Sequence, residues 1–560
     1  MKQKCKIAIY ICLLMILWHP EVFAQKALLR HGGADADVRG DKAKEEVVKN
    51  LKERSKDGVV QIFAFDAQAL RGESLEIEFF PGKPVIFHKD EIELRGPEDL
   101  SWYGHTDDRA GGTAVLVYLN GELAGSVTLG NKKYILSPLG RGKCTVYESN
   151  DNRYPDDHPT KEDGLFYTPD MDSDQSGLAD AGGTCKVRVL VAYTAAAQSG
   201  AASKGFSDMK LFIQQAVSET NQSYINSLVG HRLELAVCIR ANYTESGSTS
   251  TDLSRFSVVG DGFMEHVHTY RTLYAADMCV LVINNPEYCG LASTIRATAS
   301  NAFCTVHYDC ATGYYSFGHE LGHLYGCRHN PEVDNSTTPY AYGHGYNNIP
   351  RGWRTIMAYN DDANPTTRIQ YWSNPEVTYG GFAMGDATLR NNARVLNERD
   401  AAVAAFYSAP ATLTLNTNGR VLNGETGDAV ASQSIVLGPG FTSANGSSFK
   451  ASVGTCSGGF RIGSALAAST GKAAANTAEV VNVFPNPSPG AFALDINYAT
   501  EKSVKVAVFN TVGERVYSQD LGRQSNIKHV VELSGYPAGV YMVTIHTDGD
   551  MQSRELVLIK

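Results

Sequence analysis

The stretch Gly318-His319-Glu320-Leu321-Gly322-His323-Leu324-Tyr325-Gly326-Cys327-Arg328-His329 decides how the rest of the chain is read. On a helix, His319 and His323 lie four residues apart on one face, about 5–6 Å between Cβ atoms, which suits two nitrogen ligands on one Zn2+. Glu320 projects at a neighbouring angle, able to reach a water at the metal without being a ligand. Gly326 lets the chain leave the helix in a left-handed conformation and turn back, so that His329 arrives from outside as the third ligand. Three imidazoles leave one coordination position open, which marks a catalytic rather than a structural zinc site. Scattered surface histidines are the bland alternative, but the pattern takes three of only 15 His in the chain. A structural zinc would more often use cysteine and would leave Glu320 without a role.

Upstream of this segment, Val187, Val189, Val191 and Tyr193 alternate at period two and predict a strand. A helix capped by Ser207 or Asp208 follows, with Met209, Phe212, Ile213, Ala216, Val217, Tyr224 and Leu228 at helical spacing. Strands are predicted at Leu233 to Cys238 and Asp277 to Ile283, so this part of the chain reads as an α/β layer. Residues 25–180 open with a charged helical stretch, Lys42 to Lys56, and continue as β-like segments such as Leu75 to Phe79 and Thr113 to Val117. Asp151 to Gly183 is rich in Asp, Pro and Gly and predicts an exposed linker. Beyond Pro410 the chain turns Gly/Ser/Thr-rich, and Ser464 to Ala478 reads as a small-residue linker. Near the end, Val504, Val506 and Val508 alternate, as do Val540, Met542 and Thr544 against Tyr541, Val543 and Ile545. Two apolar faces predict a small β-sandwich.

The chain has 560 residues, enough for several domains, with Lys+Arg 50 against Asp+Glu 60 and a net charge of −10. That balance excludes a nucleic-acid partner, because phosphate contacts need a basic face. Lys2, Lys4 and Lys6, the apolar run Ile7 to Trp18 and Val22-Phe23-Ala24 predict a signal peptide cut after Ala24. The run is too short to span a bilayer and no later one reaches the ~18 residues needed, so no transmembrane segment is expected. Cutting there leaves nine cysteines, at 144, 185, 238, 279, 289, 304, 310, 327 and 456. In an oxidising compartment these read as partly disulfide-bonded with at least one left over, Cys304 and Cys310 being close enough for a small loop.

The histidine segment resembles the zinc motif of the metzincin clan of metallopeptidases, and Thr355-Ile356-Met357-Ala358-Tyr359 resembles that clan's Met-turn. Val189 to Thr194, Cys289-Gly290-Leu291-Ala292 and Trp372-Ser373-Asn374-Pro375 are similar to secreted bacterial metzincins of the reprolysin-like (M12-like) and peptidyl-Asp type. The resemblance covers about 185–408. It implies a mixed five-stranded sheet over an active-site helix, one catalytic Zn2+, Met357 as a packing floor, and an edge strand at Gly290, Leu291 and Ala292 that binds protein or peptide substrates. It also implies that the loop Trp372 to Pro375 shapes the pocket past the scissile bond, and that Glu320 serves as general base and acid. For Tyr359, near the metal in some families, a donor to the oxyanion and a packing residue are both open. His307 and His344 read as surface or satisfied residues. Acidic preference is hinted at, with Arg368 a guess for its reader. No ligand motif supports Ca2+.

Val483-Phe484-Pro485-Asn486-Pro487, Gly513 to Tyr517 and Pro537 to Tyr541 resemble the sorting domain of type IX secretion, which implies a secretion-machinery partner and a secreted or cell-surface destination. The expected organisation is therefore multidomain α+β: signal peptide 1–24, β-rich propeptide and linker 25–184, metzincin protease domain 185–408, β segment and linker 409–479, and a C-terminal β-sandwich sorting domain 480–560. Latency as a zymogen has two candidate devices: the thiol of Cys144, helped by Arg141 and Lys143, or an aspartate, as in related enzymes, at Asp170, Asp172 or Asp174. Release requires an activating protease or autoprocessing. The alternative function is a surface adhesin whose metzincin domain is catalytically idle, against which an intact Glu320 argues.

Overall fold

A computed structural model describes residues 27–30, 38–155, 157, 166–167, 186–361, 363–415, 421–422, 425–453, 480–484, 488, 490–510, 515–547 and 551–558. The expected signal peptide, Cys185 and Cys456, and Asp170, Asp172 and Asp174 lie outside the described residues. Two compact units divide the chain, residues 1–462 and 463–560.

The first unit begins with the helix Lys42–Arg54, capped by Asp41, and a nine-stranded sheet. Its neighbours from Leu29–Arg30 to Lys143–Glu148 are all antiparallel, and a bridge from Ala27 to Glu76 ties its two edges. One face buries Phe63, Phe87, Trp102, Leu116, Leu136 and Cys144. From the other, Val117, Leu119 and Ala124 join the core of the segment that follows.

That segment is built on a seven-stranded mixed sheet. Val187–Tyr193 sits between Leu233–Arg240 and Met278–Ile283, parallel to both; Phe303–His307 runs parallel to Met278–Ile283, and Gly290–Ala292 closes the edge antiparallel. Alternation divides the central strand. Val187, Val189, Val191 and Tyr193 face one core with the helices Met209–Asn226 and Ser316–Tyr325, while Leu190 and Ala192 face the other. Beyond Leu233–Arg240, Thr426–Ala431 and Ser448–Val453 add two more strands, so this part of the Gly/Ser-rich segment is built into the sheet.

The helix Met209–Asn226 is capped by Asp208, whose carboxylate accepts from the Lys210 N–H at 2.8 Å. It stops at Ser227, so Leu228 is not a core position: it sits at φ 58° and is 59% exposed. Cys310 is bonded to Cys289 rather than to Cys304, which is buried in the core.

In the second unit, five strands form one sheet in which the long strand Ala491–Asn510 pairs with three neighbours. Phe492, Leu494, Val504, Val506, Val508, Tyr541, Val543 and Ile545 share its core. Met542, expected on a second apolar face, is exposed. Among the described residues, no helix is long and apolar enough to cross a membrane.

Candidate active site

The helix Ser316–Tyr325 ends where the sequence places its glycine. Gly326 has φ 117°, its N–H bonds back to Gly322 and His323, and a Cβ there would stand 2.9 Å from the Tyr340 ring. Left-handed backbone and close approach together call for glycine. The chain then reverses: Arg328 bridges His344, whose Nδ1 lies 2.8 Å from the His329 carbonyl and whose Nε2 lies 3.0 Å from that of Ser336. His344 is thus a buried residue that holds the His329 loop. His307 is also buried, its pKa pushed down to about 4 by burial.

The Nε2 atoms of His319, His323 and His329 converge to 3.2, 3.2 and 3.0 Å of one another. His319 Nδ1–H donates to the Ile356 carbonyl and His323 Nδ1–H to that of Cys327, both at 2.9 Å, which turns their Nε2 lone pairs to the common point. Three nitrogens on a tetrahedral Zn2+, each about 2.0–2.1 Å from the ion, stand about 3.3–3.4 Å apart. Spacing and donor set therefore fit a tetrahedral ion. Burial also pushes the His319 pKa down to about 3, keeping the imidazole in its ligating neutral form.

Glu320 is fully buried, and burial first, then the charge of Asp157, holds its carboxyl well above the usual carboxylate range. It lies against the edge strand Gly290–Ala292. A Cβ on Gly290 would fall 2.4 Å from Glu320 Oε1, and the Ala292 N–H bonds its carboxylate. Glycine at 290 is a condition for that carboxyl to sit where it does. The strand's outward side takes the carbonyl of Asp157 on the Gly290 N–H at 3.3 Å.

Beneath the helix, Gly322 leaves room for Met357 and Trp372. A Cβ there would lie 2.8 Å from Met357 Sδ and 2.7 Å from the Trp372 ring. Trp372 does not rim an open pocket: its indole N–H donates to Ser223 Oγ at 2.8 Å and its ring is sealed in the core. The Tyr359 ring packs 4.2 Å from that of His329, and its backbone N–H donates to Asn330 Oδ1.

Cys144 belongs elsewhere. It lies in the N-terminal nine-stranded sheet opposite Phe63, in a core separate from that of the histidine helix, and burial pushes its thiol up to about 12. Neither Arg141 nor Lys143 makes it a thiolate, so it is not the group that reaches the histidines. Nor is the expected linker exposed at its start. Asp157 is 3% exposed, its carboxylate held by both Nη atoms of Arg368, and Ser316 Oγ donates to it at 3.2 Å. Sequence reasoning passed over Asp157, whose signal lay only in an acid–base complementarity spanning 211 residues.

A model of metallo-peptidase family M12 matches residues 183–373, and one of a secretion system C-terminal sorting domain matches residues 482–560. A peptidyl-Asp metalloendopeptidase of Stenotrophomonas maltophilia (strain K279a) is 43% identical over 366 residues, covering 62% of this chain and 86% of that one. A peptidyl-Asp metalloendopeptidase of Xanthomonas campestris pv. campestris is 40% identical over 365 residues, covering 62% and 85%. One of Pseudomonas fragi is 43% identical over 189 residues, covering 34% of this chain and 99% of that one. Because the likeness runs through nearly the whole of these relatives, the chain belongs to metallo-peptidase family M12, as a metalloendopeptidase that its type IX sorting domain directs to the cell surface or the extracellular space.

Proposed function

We propose that the protein is a zinc endopeptidase made as a latent precursor, with His319, His323 and His329 holding the metal and Glu320 moving the proton. The convergence of three imidazole Nε2 atoms on the helix that carries Glu320 supports this reading. Bound there, Zn2+ supplies Lewis acidity, polarising the scissile carbonyl and lowering the pKa of a water from about 15.7 to about 7. Glu320 Oε takes the proton from the attacking water and returns it to the leaving amine. Its burial raises its proton affinity, which suits a base that must hold a proton between those two steps. The contact of the Tyr359 ring with His329 supports a role for its hydroxyl at the developing oxyanion.

Gly290, Leu291 and Ala292 receive the substrate as an added strand; the bond from Gly290 to Asp157 supports this, since chain already lies along that edge. The relatives being peptidyl-Asp metalloendopeptidases supports cleavage beside aspartate in protein substrates. Residues 25–184 act as the propeptide and 185–408 as the protease domain. The test is casein hydrolysis by the processed protein with and without a chelator, alongside Glu320→Gln. Both treatments are expected to lower the rate by on the order of 10³-fold or more, with E320Q still carrying its zinc by elemental analysis. An active E320Q protein, or an inactive wild type that only binds casein as an adhesin would, overturns the reading.

A further inference from the structure

Arg368 is fully buried, and both of its Nη atoms are held by the segment that follows residue 185. Its Nη1 donates to the Tyr314 carbonyl at 3.2 Å and its Nη2 to that of Ala358 at 3.4 Å, and its guanidinium lies 4.3 Å from the centroid of the Tyr314 ring. Ala358 belongs to the turn beneath the histidines, so the guanidinium is fixed beside the site. What balances its charge comes from the prosegment. Asp157 meets the guanidinium fork with both carboxylate oxygens, receives Ser316 Oγ, bonds the edge strand through its carbonyl, and raises the proton affinity of Glu320 by its charge. Around it, Asp151 Oδ2 accepts from the Arg368 backbone N–H at 3.1 Å and Tyr154 stacks on Tyr314 at 4.2 Å. One side chain of a non-catalytic segment thus fills a pocket with a cationic floor, a hydroxyl and an aromatic wall, next to the general base and on the strand assigned to substrate.

A buried guanidinium is costly without an anion, and a fork of two N–H donors matches a carboxylate better than an amide, which offers a single oxygen. When the prosegment leaves, the pocket therefore favours whatever peptide brings a carboxylate back. We propose that Arg368 reads the carboxylate of an aspartyl side chain in the substrate, and that Asp157 occupies the same subsite before activation as a built-in pseudo-substrate. This rests on the endopeptidase reading above and adds to it both a specificity residue and the device that keeps the precursor closed.

The test uses variants at Arg368, Asp157 and Glu320 and two pairs of peptides. In processed protein, Arg368→Gln is expected to lower kcat/KM for a peptide with an Xaa–Asp bond by on the order of 10²–10⁴-fold, to the level of the same peptide with Asn. R368K, which keeps the charge and loses the fork, is expected to recover part of the discrimination. In the precursor, Asp157→Asn is expected to accelerate processing, read by mass spectrometry of the released N-terminal segment. A synthetic peptide of residues 151–160 is then titrated calorimetrically against processed E320Q protein, which does not cleave it. Binding is expected, weakened at least tenfold for the D157N peptide and for the E320Q/R368Q protein. Since this titration needs no turnover, failure of the subsite is distinguishable from failure of the endopeptidase reading. An R368Q enzyme that still prefers Asp over Asn removes the subsite. A D157N precursor as slowly processed as wild type, or equal binding of the two peptides, removes the pseudo-substrate.

Discussion

Two buried carboxylates join the proposed propeptide to the proposed protease domain, and they are built in opposite senses. Asp309 lies after residue 185 and is surrounded by cations: Arg54 at 3.2 Å and Arg153 at 2.8 Å from the N-terminal segment, and Lys204 at 3.6 Å from its own. Asp157 lies in the proposed propeptide and meets a single guanidinium in a bidentate pair. Removing the prosegment leaves Asp309 with Lys204 but takes the carboxylate away from Arg368. On the proposed removal the first site, an anchor, would keep one cation, and the second, a receptor, would lack its acid. A buried ion pair is informative less by its strength than by which partner departs.

The largest effect that separates the two is expected from Asp309→Ala in the full chain. It leaves Arg54 and Lys204 buried without their carboxylate, at a cost of about 3–5 kcal/mol, read as a lower urea midpoint. D157N leaves Arg368 facing an amide oxygen and costs the precursor about 1–3 kcal/mol. After processing, D309A protein should stay destabilised, while D157N protein should equal wild type if residue 157 leaves with the proposed propeptide. Equal deficits in both forms would erase the distinction between anchor and receptor. The anchor also sets a pH dependence. Asp309 is desolvated, but Lys204, Arg54 and Arg153 hold its carboxyl below the usual range. A group with a depressed folded pKa adds stability above its unfolded value, about 3.9, and loses it as pH falls through the folded one. Wild-type stability should therefore fall below about pH 4 more steeply than that of D309A.

Next in size is Lys204→Met. Burial pushes the Lys204 ammonium down to about 8, a sign that it is expensively desolvated. In the full chain, Arg54 and Arg153 remain on Asp309, and the change should cost about 1 kcal/mol or less. In processed protein Lys204 is the described cation still paired with Asp309, and the same change should cost about 2–4 kcal/mol. A larger deficit in the full chain than in the processed form would mean that Asp309 is not an anchor shared between the two parts.

These sites also mark where the sequence is legible. His319, His323 and His329 could be read because their geometry is local: one helical turn, a glycine and a reversal set three nitrogens together. The period of two in Val187–Tyr193 likewise says which side chains share a face. Asp157 looks like any residue of an Asp/Pro-rich linker, because its meaning lies in Arg368, and no local period records a partner 211 residues away. Cys144 shows the converse. Its basic neighbours suggest a reactive thiol, but strand alternation turns its side chain into the core. Leu228 fits the helical period and yet falls past the cap, since spacing does not say where the last turn ends.

The smallest effect, and the sharpest check on the anchor, is expected at Arg153. Its guanidinium lies 2.8 Å from Asp309 Oδ2, closer than that of Arg54, so distance alone would rank it first. Solvent reverses the order. The Arg153 side chain is 24% exposed against 10% for Arg54, so water can replace part of what the ion pair supplies, and less desolvation is left uncompensated when the pair is broken. Arg153→Gln should lower the stability of the full chain by about 1 kcal/mol or less, and Arg54→Gln by about 2–3 kcal/mol, the Arg54 guanidinium also losing its bond to Tyr308 Oη. Neither change should alter the processed protein once residues 25–184 are removed as proposed. Paired urea titrations of the two variants decide it: a greater loss at Arg153 would mean that Coulomb distance, and not burial, governs how the prosegment is held.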